Sequence, residues 1–232
     1  MKSKYLSKIV LVLLVCVSHA IAGEFRWPGD ASLVLPGREN DPVLVSTGPG
    51  VRQVNSLRFD NEANEGGREG AASARFLRLS LSQLAPLSEE ATIAAFVHPD
   101  RKKGNDDFIA SKSDSRSDWN GYRLFKVWEK WGLEIGDGAS GAKIYSGDKL
   151  TIKAWQHLAV VIKGGVVTFY RDGVAVKEER LPVNSVMLPD TVALGAGPQG
   201  YLPFHGLMTG VYISDKALDG EGVLNLMRSV TE

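Results

Sequence analysis

Residues 155–177 read WQHLAVVIKGGVVTFYRDGVAVK, and this stretch decides the fold. Three short runs rich in β-branched and aromatic residues are separated by Lys163-Gly164-Gly165 and by Asp172-Gly173. Gly-Gly and Asp-Gly supply the positive φ angles that tight hairpin turns require. The stretch therefore predicts a three-stranded antiparallel meander, with the rest of the chain forming sheet that pairs with it or packs on it.

Further short strands are predicted before and after the meander. Residues 75–81 alternate leucine with other side chains, which predicts a strand with one core face, and residues 91–97 are apolar on both faces. Helical character is confined to residues 222–229, with Asp219 as the candidate N-cap. Because no crossover helices separate the strands, a parallel α/β fold is excluded. The pattern predicts an all-β fold, a two-sheet antiparallel jelly-roll β-sandwich with one short C-terminal helix.

The N-terminus has the form of a cleaved signal peptide. Three lysines precede a nine-residue apolar run at 9–17, and Ala20-Ile21-Ala22 forms a small-x-small cleavage site. We predict cleavage after Ala22 and a secreted, extracellular or periplasmic protein, with a buried N-terminal helix as the alternative. The run is too short to span a membrane, which takes roughly 20 residues. The remainder divides into a Gly- and Pro-rich extended arm at 23–53 and the sandwich at 54–232.

Charge and cysteine content exclude two classes of function. Loss of three lysines leaves 24 basic residues against 27 acidic ones, a net charge of −3, which argues against nucleic acid as a partner. Cys16, the only cysteine, lies within the predicted signal peptide. The secreted chain is therefore predicted to have neither disulfides nor thiol chemistry.

Several motifs, taken in order along the chain, resemble those of the laminin G-like jelly-roll domains of the concanavalin A-like lectin/glucanase superfamily. They are ATIAAFVHP at 91–99, IASK at 109–112, GYRL at 121–124, WQHLA at 155–159, VTFYRDG at 167–173, FHGL at 204–207 with VYI at 211–213, and Ala217-Leu218 followed by Leu226. The resemblance implies the jelly-roll fold. It leaves the function open, because such domains include sugar-binding modules, protein-binding modules and domains of secreted enzymes.

The resemblance also raises the question of calcium, which would be the sole cofactor. Some relatives bind calcium through an acid after the first strand and another after the F-x-G segment. Asp60 with Asn61 matches the first position, but Met208-Thr209-Gly210 stands where the second acid would be. Calcium takes six to eight oxygen ligands, so these two residues supply too few alone. The alternative is that Asp60 and Asn61 are turn residues.

No catalytic residue is predicted. Glycoside hydrolysis needs two carboxylates on opposite sides of the scissile bond. On a regular strand Glu134 and Asp137 point to opposite faces, so the segment offers one carboxylate per face. Two adjacent pairs, Asp106-Asp107 and Glu178-Glu179, are interpreted as solvated charges.

The prediction of a ligand-binding site is based on aromatic residues. The segment 121–136 predicts a hairpin whose turn includes Lys130 and Trp131, and Trp119 lies in the preceding loop. Binding residues concentrate in loops, so Trp119 and Trp131 are the predicted ligand contacts, with Asp118, Asn120 and Lys130 as polar partners. Tyr122 is predicted to be core. The sequence thus predicts a non-catalytic, lectin-like recognition module for an extracellular glycan or protein. The alternatives are a divergent glycoside hydrolase or lyase, or a structural domain without a small ligand.

Overall fold

A computed structural model of the protein describes residues 23–29, 35, 41–51, 54–61, 74–111 and 119–232. The predicted signal peptide and Asp118 lie outside the described residues. Within these ranges the strands form an eight-stranded sheet, a six-stranded sheet and a two-stranded ribbon, and every strand-to-strand pairing is antiparallel. The predicted all-β jelly-roll sandwich is therefore confirmed. None of the described helical structure is long and apolar enough to cross a membrane.

Sixteen strands and one helix are described along the chain. The first eight strands are β1 (Glu24–Trp27), β2 (Val43–Ser46), β3 (Asn55–Phe59), β4 (Leu77–Ser80), β5 (Leu87–Ser88), β6 (Glu90–Pro99), β7 (Asn105–Ala110) and β8 (Asn120–Val127). The others are β9 (Lys130–Asp137), β10 (Gly141–Lys149), β11 (Gln156–Lys163), β12 (Val166–Arg171), β13 (Val174–Arg180), β14 (Val186–Met187), β15 (Thr191–Leu194) and β16 (Gly206–Ser214), followed by helix α1 (Gly220–Thr231).

The predicted meander is β11, β12 and β13, and both of its turns have the expected geometry. Gly164 and Gly165 have φ angles of 58° and 73°, and Asp172 and Gly173 have φ angles of 51° and 79°. Two consecutive positive φ angles match the twist of flanking strands, which is why such turns connect hairpins. The meander forms one edge of the eight-stranded sheet, in the order β13-β12-β11-β6-β16-β3-β2, with β1 also paired to β16.

The six-stranded sheet has the order β10-β9-β8-β7-β15-β4. Its β8–β9 hairpin closes through Trp128 and Glu129, because Val127 pairs with Lys130. The predicted turn, which included Lys130 and Trp131, was therefore placed too far along the chain. Both of those residues belong to β9.

The core lies between the two larger sheets. Leu57, Phe59 and Ile93 of the eight-stranded sheet form one buried cluster with inward side chains of the six-stranded sheet, such as Leu133 and Ile135. Burial of a large apolar side chain contributes about 1.5–3 kcal/mol, so this cluster is the main source of stability.

Helix α1 covers part of the outer surface of the eight-stranded sheet. Asp219 is its N-cap, as predicted, and its side chain accepts a hydrogen bond from the backbone N–H of Gly222 at 2.8 Å. Val223 and Leu226 of the helix pack against a small apolar cluster that includes Ala94 and Ala159 of the sheet.

Part of the predicted N-terminal arm belongs to the sandwich rather than lying outside it. β1 pairs with residues 211–214 of β16, and Phe25 and Trp27 alternate into the core. β2 pairs with β3 at the sheet edge. These two segments of the 23–53 arm therefore complete the large sheet.

Candidate carbohydrate-binding face

Charged and aromatic side chains lie on one face of the six-stranded sheet. This face points away from the core and is here called the outer face. In strand register Glu134 lies between Arg123 on β8 and Lys143 on β10. Their neighbours Leu133 and Ile135 are core residues. Because side chains alternate along a strand, the charged row points outward.

Arg123 holds two carboxylates on this face. Its guanidinium donates to Glu134 Oε2 from Nε at 3.1 Å and from Nη2 at 2.8 Å, and to Asp107 Oδ1 from Nη1 at 3.2 Å. All three side chains are nearly fully buried. Each carboxylate is thus fixed by a charge-assisted hydrogen bond rather than presented to solvent.

Asp107 has an unusual electrostatic environment. Burial raises the pKa of its carboxyl group to about 7, and the negative charges of Glu134 and Asp106 act in the same direction. Arg123 opposes the rise in pKa. Among the residues that the structure describes, none forms a hydrogen bond with the buried Asp107 Oδ2, which favours the neutral acid.

The prediction that Asp106 and Asp107 are solvated was wrong. Both lie in β7 and are fully buried. On the core side, Asp106 accepts a hydrogen bond from Arg101 at 2.7 Å and lies 2.9 Å from the Lys126 ammonium. Burial lowers the pKa of Lys126, although Asp106 opposes this change. These buried charges are balanced by partners that lie elsewhere in the sequence.

An aromatic pair continues the outer face toward the sheet edge. Phe125 contacts Tyr145 edge to face, with ring centroids 5.5 Å apart. The Lys143 ammonium lies 4.6 Å from the centroid of the Phe125 ring. Phe125 is buried, whereas Tyr145 is partly exposed and Lys143 is exposed.

Trp119 lies on the outer face at the far end of the same strands. A Cβ atom placed on Gly141 would lie 2.0 Å from Trp119 Cε3, and one placed on Gly136 would lie 2.6 Å from Trp119 Cβ. Gly136 and Gly141 are paired in register. Two glycines therefore form a floor for the indole, and Trp119 remains partly exposed.

Two polar residues lie at the strand ends next to Trp119. Asn120 pairs in register with Asp137 and is exposed. Asp137 accepts hydrogen bonds from the backbone N–H groups of Ala139 and Ser140, which lower the pKa of its carboxyl group. By strand parity both side chains project on the side opposite to Arg123 and Glu134, so they lie at the strand ends beside Trp119 and not on the outer face itself.

Trp131 is not at the surface, so its predicted ligand contact was wrong. It is 0% exposed, it contacts Phe169 edge to face across the core, and its indole N–H donates to Asp148 at 2.6 Å. The physical reason is strand parity, because Trp131, Leu133 and Ile135 share the inward face of β9.

The predicted partners do not form one site. Asn120 pairs with Asp137 at one end of the β8–β9 hairpin, whereas Lys130 pairs with Val127 at the other. Eight residues of strand separate the two ends, which is roughly 25 Å. Near Lys130 the exposed aromatic residue is Trp128, which was not among the predicted ligand contacts.

Asn61 and Asp60 have structural partners instead of forming an obvious calcium site. The Asn61 amide donates to the carbonyls of Arg75 and Phe204, and its oxygen accepts from the Arg75 backbone N–H. Asp60 pairs with Arg58 at 2.9 Å. The side-chain oxygen of Asn61 is thus already engaged. Among the described residues no group of three or more His, Cys, Asp or Glu could hold a metal ion.

A family model described as the concanavalin A-like lectin/glucanases superfamily matches residues 72–223. The chain belongs to this superfamily. This laminin G-like match covers more than half of the sequence and confirms the family resemblance inferred from the motifs. No curated protein matches the sequence with significance.

Solved structures share the fold at low sequence identity. Domain 4 of AbnA, a GH43 extracellular arabinanase from Geobacillus stearothermophilus in complex with arabinotriose, has a TM-score of 0.57 and 18% identity, over 80% of this chain and 81% of that one. A heptameric SAP-like pentraxin from Limulus polyphemus has a TM-score of 0.53 and 16% identity, over 74% and 81%. The binding domain of Paraclostridial Mosquitocidal Protein 1 has a TM-score of 0.59 and 13% identity, over 81% and 45%.

Proposed function

We propose that this domain is a secreted, non-catalytic recognition module that binds carbohydrate on the outer face of the six-stranded sheet. One observation carries the proposal: the partly exposed Trp119 indole lies on the glycine floor of Gly136 and Gly141. A sugar ring has an apolar C–H face that packs against an aromatic ring, and an aromatic pair contributes about 0.5–1.5 kcal/mol beyond area burial, which sets the scale for such stacking.

Polar groups at the strand ends, along the edge of the outer face beside Trp119, supply hydroxyl recognition. Asn120 offers both a donor and acceptors, and Asp137 offers carboxylate oxygens beside it. Asp118, which precedes Trp119 in sequence, is a further proposed contact. This arrangement supports binding of a short, neutral oligosaccharide across the ends of β8 and β9. The arabinotriose complex of the AbnA domain supports the same class of ligand for this fold.

A second candidate function, glycoside hydrolysis, has one observation in its favour. Asp107 and Glu134 flank Arg123 on the same face as Trp119, and burial raises the pKa of Asp107 to about 7. A catalytic acid must reach the glycosidic oxygen of the substrate. Both carboxylates are buried and bound to the same guanidinium, so recognition without catalysis is the better-supported function.

A glycan array of neutral oligosaccharides tests the proposed function. We expect selective binding by the wild-type protein and loss of that binding in Trp119→Ala. Trp128→Ala is the matched control, because it removes an exposed tryptophan at the opposite end of the hairpin and should leave neutral-glycan binding unchanged. Failure of the wild-type protein to bind any neutral glycan, or full binding by Trp119→Ala, would refute the proposal.

Secretion is tested separately. Export through the signal peptide predicts that the mature protein begins at Gly23. Intact-mass measurement of protein recovered from a secreting host checks this directly. A mass that retains residues 1–22 would contradict the proposed cleavage.

A further inference from the structure

The tip of the β8–β9 hairpin exposes a large aromatic side chain in a strained conformation. Trp128 is 55% exposed and has a φ angle of 60°. For a bulky residue this left-handed conformation is an outlier, and such strain concentrates at functional sites. Glycine would adopt the same backbone without strain. The protein therefore has a tryptophan where stability alone favours glycine.

Hydrogen bonds fix this tip against two neighbouring loops. The Trp128 backbone N–H donates to the Gly104 carbonyl at 2.8 Å, and the Leu150 backbone N–H donates to the Glu129 carbonyl at 2.7 Å. In the adjoining loop, the Lys153 backbone N–H donates to the Pro99 carbonyl at 2.7 Å. The three loops at 101–104, 128–129 and 150–153 thus form one surface at this end of the sandwich.

This surface is rich in exposed lysines and is here called the lysine-rich end. Its exposed cations are Lys102, Lys103, Lys130, Lys149 and Lys153. Lys102 is paired with Glu129 at 3.0 Å. The other four have no carboxylate within ion-pair distance in the part of the chain that the structure describes.

Two of these lysines oppose one another directly. Lys130 on β9 pairs in register with Lys149 on β10. Like charges in directly opposite strand positions destabilise a sheet. An anion bound between the two ammonium groups would relieve this repulsion. A single exposed tryptophan beside a row of cations fits a ligand that combines ring faces with negative charges.

We propose that the lysine-rich end binds a linear anionic polysaccharide, with Trp128 stacking on a sugar ring and Lys130 and Lys149 binding its acidic groups. A membrane surface fits less well, because Trp128 is the single large exposed apolar side chain in these three loops and interfacial binding scales with buried apolar area. This site is separate from the one at Trp119 and does not depend on the proposed function.

Titration of the full protein with polygalacturonate tests this inference, with neutral dextran as the reference polymer. We expect binding to polygalacturonate that weakens steeply as NaCl rises from about 50 to 300 mM, since salt screens exposed charges. Trp128→Gly should weaken binding by about tenfold while its Tm stays equal to or above that of the wild type. Loss of binding without loss of stability separates a ligand contact from a structural role.

Charge variants supply the second arm of the test. Lys130→Glu combined with Lys149→Glu should abolish polygalacturonate binding. Lys163→Glu is the matched control, because Lys163 is an exposed lysine at the end of β11, away from these loops. The affinity of this variant for polygalacturonate should equal that of the wild type. Trp119→Ala should also bind polygalacturonate normally, so that failure here is distinguishable from failure of the neutral-glycan site.

Three outcomes would overturn the inference. They are no polygalacturonate binding by the wild-type protein, wild-type affinity in both Trp128→Gly and the double lysine variant, and binding to phosphatidylserine vesicles in place of polysaccharide. The last would assign this end to an anionic membrane surface.

Discussion

Arg123 donates two hydrogen bonds to a single oxygen of Glu134, at 3.1 Å from Nε and 2.8 Å from Nη2. Glu134 is the carboxylate that most resembled a hydrolase residue in sequence, and this contact gives it a structural role. Glu134→Gln should destabilise the protein by about 1–3 kcal/mol, because it weakens a buried charge-assisted interaction. Urea unfolding measures the loss.

The exposed Glu179→Gln is the control for Glu134 and should change stability by less than about 0.5 kcal/mol. An assay of reducing ends on β-glucans completes the comparison, and we expect no turnover by the wild type. Turnover that disappears in Glu134→Gln would make the protein a hydrolase.

Asp107 predicts an unusual pH dependence of stability. Its folded pKa of about 7 lies above the unfolded value of 3.8, so the folded state retains a proton that the unfolded state releases. The stability that it contributes is full below pH 3.8 and falls as pH rises toward 7, by a few kcal/mol at most. Asp107→Asn should remove this decline.

The free energies of unfolding of the wild type and Asp107→Asn, measured across pH 4–8, check the sign of this pH dependence. The difference, wild type minus variant, should fall with increasing pH. The exposed Asp190→Asn should give a profile parallel to that of the wild type. A difference that rises with pH would mean that Arg123 keeps Asp107 ionised.

His157 gives the free energy of unfolding the opposite dependence on pH. It is buried against Phe96, with ring centroids 4.9 Å apart, and burial lowers its pKa from 6.5 to about 4. As pH falls from 6.5 to 4 the unfolded state takes up a proton that the folded state does not. Stability therefore falls on acidification, by about 3 kcal/mol. His157→Gln should flatten this acid limb in urea unfolding, and an unchanged limb would show that His157 is not the group responsible.

Trp131 is buried, whereas Trp128, three residues earlier, is exposed, so alanine substitution should affect stability differently at the two positions. Trp131→Ala removes the contact with Phe169 and the hydrogen bond to Asp148, and should cost about 3–5 kcal/mol. Trp128→Ala should stay within about 0.5 kcal/mol of the wild type. Chemical denaturation distinguishes them, and equal effects would contradict the placement of Trp131 in the core.

The sequence predicts those parts of the fold whose local chemistry is decisive. Gly164-Gly165 and Asp172-Gly173 fix two turns because few other residues accept their φ angles. The β8–β9 turn contains no such signal, since Trp128 occupies the positive φ position. The turn was therefore misplaced, and Trp131 was assigned to a loop.

Burial of charge was the other feature that the sequence did not predict. Asp106 and Asp107 are adjacent acids preceded by basic residues, a pattern typical of a solvated loop. Their partners Lys126 and Arg123 lie on the next strand, so only strand register reveals the pairing. By contrast, the inward position of Trp131 could have been found from its alternation with Leu133 and Ile135.

The most direct test of the central claim is the affinity of Trp119→Ala for the best neutral oligosaccharide on the array, measured by calorimetric titration beside the wild type and Trp128→Ala. We expect Kd to rise by about tenfold or more for Trp119→Ala, corresponding to loss of roughly 1.4 kcal/mol of stacking, with no change for Trp128→Ala. A Trp119→Ala variant that binds this oligosaccharide as tightly as the wild type would contradict the assignment of the outer face as the carbohydrate-binding site.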